Sequence, residues 1–149
     1  MKQSKANKAV ETFQEGFNCS QSVFTTYCEE FGIDRKSALG IACGLGAGMG
    51  RRQETCGAVS GAYLLLGLKY GQIKPDDAAA KEKTYAMVQE FARLFEERNG
   101  ATSCRELLGI DFRTADSSTT ARIKSICPKM IQDAAEIVEQ LLYSEEVQP

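Results

Sequence analysis

The sequence predicts an all-α protein, a single domain over residues 1–149 built as a bundle of about six helices around a central apolar helix that starts at Cys56. Three observations predict it. Apolar residues recur at three- and four-residue spacing along most of the chain, which is the period of one helix face. No segment alternates apolar and polar residues with period two, and no internal repeat is visible. Asn, Asp and Ser precede the apolar runs and glycines follow them, as helix caps and stops do. A chain of this length buries roughly 68–70% of its unfolded surface, enough for a core without covalent staples.

The elements follow in order. Ala6 to Phe17 carries Val10, Phe13 and Phe17 at helical spacing, with Gly16 weakening its end. Asn18 is positioned to cap a second helix whose first residue is Cys19. That helix runs to about Phe31, with Val23, Phe24, Tyr27, Cys28 and Phe31 on one face, and Gly32 stops it. Asp34 caps a third helix bearing Ala38, Leu39, Ala42 and Cys43, which gives way to the glycines at 44, 46, 48 and 50. The stretch Gly44 to Gly71 organises the rest: a glycine-rich, then basic and polar segment leads into the apolar helix CGAVSGAYLLLGLKYG. Leu64, Leu65, Leu66 and Leu68 make that helix apolar on most sides, so it is expected at the centre of the core. Gly57 and Gly61 leave its backbone open to close approach by another element.

Pro75, Asp76 and Asp77 are expected to open the longest helix, with Tyr85, Val88, Phe91, Ala92 and Phe95 as its buried stripe and Gly100 as its stop. Ser103-Cys104-Arg105-Glu106 reads as a capping box ahead of a short helix that ends by Gly109. Asp111 to Thr120 reads as a loop, and a brief helical turn covers Ala121 to Ile126. Cys127 then lies at or next to the cap of a last helix whose apolar face is Met130, Ile131, Ala134, Ile137, Val138, Leu141 and Leu142. The tail Glu145 to Pro149 is expected to fray.

Composition excludes several classes. The formal net charge is -2, with Lys and Arg scattered, so neither nucleic acid nor an anionic membrane surface is an expected partner. There is no His, which removes imidazole bases, His metal ligands and His-ligated haem. No CxxC occurs, so the thioredoxin motif and paired-cysteine zinc ribbons are excluded. GLGAGMG has GxGxG spacing, with Met49 where a dinucleotide turn needs glycine, and no strand precedes it. A close-packed turn is the expected role of these glycines, with anion binding beside a helix start as the weaker alternative. The segment MKQSKANKAVETF has no apolar run, and Ala62 to Leu68 is too short to span a bilayer. A cytoplasmic, reducing setting is therefore expected, where cysteines serve redox or metal chemistry more often than structural disulfides.

The six cysteines divide into two sets. Cys28 and Cys43 share helix faces with Phe, Leu and Ala and are expected to be small core residues. Cys19, Cys56, Cys104 and Cys127 all fall at predicted helix N-termini, where the helix dipole favours thiolate over thiol. Each alone reads as chance placement; together they point to one shared site. Arg51, Arg52, Arg105 and Lys129 are near these cysteines in sequence. They are surface charges by default, and thiolate stabilisers if the site forms.

A lone cysteine in FNCSQSV, then CGAVSGAYLLLGLKYG, then SCRELLG, then SICPKM, covers nearly the whole chain. The pattern resembles the C_GCAxxG_C_C (CGAxxG) family of putative redox-active proteins. The family's four cysteines map to Cys19, Cys56, Cys104 and Cys127, with Cys-Gly here where the name has Gly-Cys. The resemblance implies redox activity at cysteines and a loose link with transporter genes, and names no reaction.

Three functions remain open on this reading. The four cysteines form a thiol/disulfide or electron-transfer site that works with a protein redox partner. Alternatively, Cys19, Cys56, Cys104 and Cys127 are metal ligands, for zinc or for an iron–sulfur cluster. In the third, the chain is a helical interaction module and the cysteines are incidental. In the first two cases the four should meet beside the Gly44–Gly50 turn, with Cys19 and Cys56 the first pair to expect.

Overall fold

The structure, a computed structural model, describes residues 3–143, so the expected fraying of Glu145–Pro149 lies outside the described residues. Eight helical segments run α1 (Ala6–Gln14), α2 (Cys19–Tyr27), α3 (Arg35–Cys43), α4 (Gly46–Met49), α5 (Gly57–Tyr70), α6 (Ala78–Asn99), α7 (Cys104–Leu108) and α8 (Ser117–Tyr143). Short 3-10 turns cover Cys28–Phe31 and Phe112–Thr114. Among the described residues there are no strands, only an isolated antiparallel bridge between Thr55 and Ser103. No helix of the described residues is long and apolar enough to cross a membrane.

α5 is the central helix, packed against α2, α6 and α8. Gly57 and Gly61 meet the first turn of α2, while Leu65 and Leu66 are fully buried. α1 lies against α2 and α8. The far side of the core is aromatic: Tyr63 meets Phe91 edge-on at 5.6 Å, and Phe91 stacks on Phe95 at 6.0 Å.

The capping signals operate as the chemistry requires. The Asn18 side chain accepts from the Gln21 N–H while Gln21 accepts from the Asn18 N–H, a reciprocal box. Asp34 caps α3 by accepting from the Ser37 N–H, and Ser103 caps α7 by accepting from the Glu106 N–H, without the return bond to Glu106 that the expected box includes.

Five expectations need correction. α1 ends at Gln14, because Gly16 turns the chain at a φ of +119°. α6 starts at Ala78 rather than Pro75, with Asp77 as its cap. Tyr85 is 55% exposed, since only the second half of α6 reaches the core. Cys43 is exposed, at the end of an α3 that turns Ala38 and Ala42 inward.

The fifth concerns α8. It begins at Ser117 and continues through Pro128 without a break, so Ser117 to Thr120 are helix and Cys127 is interior to it. Proline in a helix interior loses one hydrogen bond and costs about 3 kcal/mol. Two features offset that cost: the buried row from Met130 to Leu142, and the Arg122 Nε donation to the Leu108 carbonyl (2.7 Å), which ties the first turns down.

Candidate functional site

Cys19, Cys56, Cys104 and Cys127 line one cavity of about 110 Å³. Most of the remaining wall is hydrocarbon, from Phe13, Leu107, Leu108, Phe112, Ile126 and Met130 among others. No charged side chain lines it. Asn18 does, but its amide is committed elsewhere: Oδ1 accepts from Gln21 N–H, and Nδ2 donates to the Cys43 carbonyl at 2.9 Å. Sulfur is thus the soft, reactive element of an apolar enclosure.

Each cysteine arrives from a different element. Cys19 is the first residue of α2 and Cys104 the first of α7. Cys56 is the N-cap of α5. The bridge at Thr55 and Ser103 joins the last two: Cys56 N–H donates to Thr102 O (2.8 Å) and Cys104 N–H to Glu54 O (2.6 Å). Cys127 comes from the middle of α8, so three of the four are at helix starts and the fourth is not.

The small residues of the CGAxxG segment explain how α2 reaches the site. A Cβ on Gly57 would collide with Cys19 Sγ, and one on Gly61 would lie 2.7 Å from the Ser20 carbonyl. Ala58 is fully buried between them. Any larger side chain at 57 or 61 would push α2, and Cys19 with it, away from α5.

The glycine segment supplies the opposite wall. From Ala47 to Arg51 every φ is positive, a left-handed turn that includes the non-glycines Ala47, Met49 and Arg51. Such residues each cost about 1–2 kcal/mol, so the surrounding contacts must hold them there. The turn presents the Ala47 N–H to the Cys19 sulfur. At Gly48 a Cβ would lie 2.7 Å from the Cys104 Cβ. Gln53, buried and also at positive φ, joins Ile110 O (2.8 Å) to Phe112 N (2.8 Å) and places its amide against Cys104. Sequence reasoning missed Gln53; a buried polar residue just before a site cysteine carries no signal of its own.

Burial governs the electrostatics. Cys19, Cys56 and Cys104 are 8%, 7% and 7% exposed. Burial pushes the Cys19 thiol up, against the pull of the Ala47, Ser20 and Gly57 amides. The Cys56 thiol is pushed well above the ordinary range by burial and by the neighbouring Cys19. The amides of Ala58 and Val59 oppose this without closing a capping hydrogen bond. Cys104 is pushed up to about 11 and Cys127 to about 12, in both cases by burial first and the Cys19 charge next. The helix-start effect expected from the sequence is therefore present but outweighed, and all four are neutral thiols near pH 7. Of the basic residues flagged above, Arg105 draws Cys104 downward. Arg52 is paired with Glu54, and Lys129 with Asp133.

A raised thiol pKa has a sign in stability. Between the ordinary value of 9.0 and about 12, the unfolded chain loses protons that the folded state keeps. Stability is full below pH 9.0 and falls as pH climbs toward about 12. Urea midpoints measured across this window should fall less steeply in a Cys104→Ala/Cys127→Ala variant. An unchanged slope would assign the alkaline loss to another group, such as Tyr27, whose phenol is also raised by burial and by Glu139.

The family model described as "Putative redox-active protein (C_GCAxxG_C_C)" matches residues 17–141, a span that holds all four cavity cysteines. The chain belongs to this family. No curated protein and no solved structure matches it. The C_GCAxxG_C_C pattern has a physical content here: its cysteines line the cavity, and Gly57 and Gly61 give the clearance between α2 and α5.

Cys28 and Cys43 lie outside the cavity lining. Cys28 is buried, its thiol donating to the Thr25 carbonyl at 3.6 Å. Cys28→Ala and Cys43→Ala are each expected to leave the disulfides formed by the other cysteines unchanged when these are mapped by mass spectrometry. Loss of those disulfides in either variant would show that the division into two sets is wrong.

Proposed function

We propose that Cys19, Cys56, Cys104 and Cys127 act as one redox site that stores electrons as thiols and releases them on forming disulfides, with Cys19–Cys56 the first pair. What supports the reading is their meeting in a single apolar cavity with no charged wall. The electronic balance is simple. Two thiols give up two electrons and two protons as one S–S bond forms, and a partner disulfide taking them up is cleaved to two thiols. Cys19 is near enough to each of the other three that a thiolate formed there would raise all of them. A reducing, cytoplasmic compartment suits this chemistry, because it regenerates the thiols.

A second reading, a bound iron–sulfur cluster or zinc, is favoured by the donor set: four thiols and no competing hard ligand around a space of about 110 Å³. Among the described residues, no group of three or more such ligands is already drawn together around a metal-sized point, which weighs against mononuclear zinc. If a cluster binds, the same four cysteines would hold it as thiolates and it would supply one-electron chemistry.

Anaerobic purification followed by a metal assay, a visible spectrum and a thiol count on one sample tests both. The proposal expects metal-free protein whose thiol count falls on mild oxidation and recovers with reductant. Bound iron or zinc with protected thiols would replace it with the second reading. Metal-free protein whose cavity thiols never oxidise would leave a helical interaction module.

A further inference from the structure

Next to the thiol cavity lies an open groove of about 490 Å³ between the end of α1 and α8, lined by Phe13, Gln14, Phe17, Lys124 and Pro128 among others. Phe13 and Ile123 line both spaces and so form the partition between them. On α8 the spacing is helical: Thr120, Lys124 and Pro128 face the groove, while Cys127, one position away, faces the cavity and Ile123 borders both. Cys127 is the least buried of the four site cysteines and is bonded directly to the groove residue Pro128. Lys124 is the one charged side chain lining the groove, and it makes no ion pair among the described residues. The other three thiols are too deeply buried for a cysteine on another folded protein to reach.

We propose that this groove admits a low-molecular-weight disulfide bearing a carboxylate, which reacts first at Cys127. The proposal rests on the dithiol/disulfide reading above. The apolar part of the reagent packs on Phe13, Phe17 and Pro128, and its carboxylate pairs with Lys124. The Cys127 sulfur attacks one sulfur of the reagent, the reagent's S–S bond breaks, and the departing half takes up the thiol proton. This leaves Cys127 in a mixed disulfide. The Cys19 thiol then displaces the second half, releasing a second small thiol and leaving a transient Cys19–Cys127 bond. Cys56 attacks Cys19 in turn and gives its proton to Cys127, which returns to the thiol as Cys19–Cys56 is left as the stored disulfide. In sum, two protein thiols lose two electrons and two protons, and one small disulfide becomes two thiols. The Phe13–Ile123 partition sets the size of reagent that can pass. Small thiols and disulfides, rather than a docked redox protein, are thus the direct reactants.

The test uses full-length reduced protein carrying Cys43→Ser, because Cys43 is exposed and would react with any reagent. Its reaction with bis(carboxynitrophenyl) disulfide, a coloured anionic probe, is compared with that of the neutral bis(hydroxyethyl) disulfide, and the first modified cysteine is found by peptide mapping. Cys127 should be modified first. Lys124→Glu, a surface change compatible with folding, should slow the anionic probe about tenfold and leave the neutral probe unchanged. Phe13→Ala should speed both. First modification at Cys19, Cys56 or Cys104, or equal slowing of both probes by Lys124→Glu, would overturn the route. If disulfides form among the site cysteines but ignore Lys124, the route fails and the redox reading stands. If neither probe yields a disulfide among them, the redox reading fails as well.

Discussion

Gly57→Ala is expected to destabilise the protein and to stop disulfide formation at Cys19 in the same molecule. The new methyl has no room, because it would overlap the Cys19 sulfur and lie 3.1 Å from the Ser20 amide nitrogen. Something must move, and the neighbour is the first turn of α2, fixed from behind by the Asn18–Gln21 cap. Overpacking of this kind costs roughly 1–3 kcal/mol. Gly67 in the same helix is the control. A Cβ there meets nothing within 4 Å, so Gly67→Ala should stabilise by about 0.5–1 kcal/mol through helix propensity alone. The two variants, compared by urea unfolding and by disulfide mapping, separate a steric effect from a general intolerance of α5. A Gly57→Ala protein as stable and as readily oxidised as wild type would show that α2 is not held against α5 as described.

Leu65→Ala carries the largest expected loss of stability, roughly 2–5 kcal/mol. Leu65 is fully buried on the helix that α2, α6 and α8 all pack against, so the void it leaves is enclosed on every side. Leu64 on the same helix is only partly buried, and Leu64→Ala should cost less. The ordering is checked by thermal or urea unfolding of the pair. A loss below about 0.5 kcal/mol at Leu65, the range of surface substitutions, would remove α5 from the centre of the fold.

Local chemistry made much of this fold legible. Asn18, Asp34 and Ser103 each announce a helix start by residue type and position, and each caps as its side chain allows. The apolar run of α5 marks the central helix, fully buried at Ala58, Val59, Ala62, Leu65 and Leu66 and only partly so at Tyr63, Leu64 and beyond Leu66. What escaped was set by tertiary contacts. Pro128 reads as a boundary because a proline inside a helix is costly, yet packing along α8 outweighs it. A better signal was available at Asp116. Its carboxylate accepts from the Ser118 N–H (2.8 Å), and Thr119 Oγ1 accepts from the Asp116 N–H (3.0 Å), which is the cap of α8. The left-handed run at Ala47, Met49 and Arg51 had no such signal, since those residue types favour ordinary φ, and what holds the run is tertiary packing at Gly48 and the turn's own backbone hydrogen bonds, such as Glu54 N–H to Gly48 O (2.9 Å) and Arg52 N–H to Met49 O (3.1 Å). The candidate site was visible as a set of four cysteines; its burial was not, and burial is what keeps the thiols protonated.

The bridge between Thr55 and Ser103 has a consequence for how the chain reaches its native state. It closes a loop containing all of α5 and α6, and Cys56 and Cys104 cannot be neighbours until that loop has closed. Loop closure across so long a segment is entropically costly and comes late, whereas the helices form locally and early. A newly made chain therefore passes through a period in which the four cavity cysteines are solvent-exposed, titrate near their ordinary value, and are more reactive than they will ever be once enclosed. Premature oxidation at that stage would link cysteines the finished fold keeps apart, so refolding yield should depend on reductant during folding far more than after it.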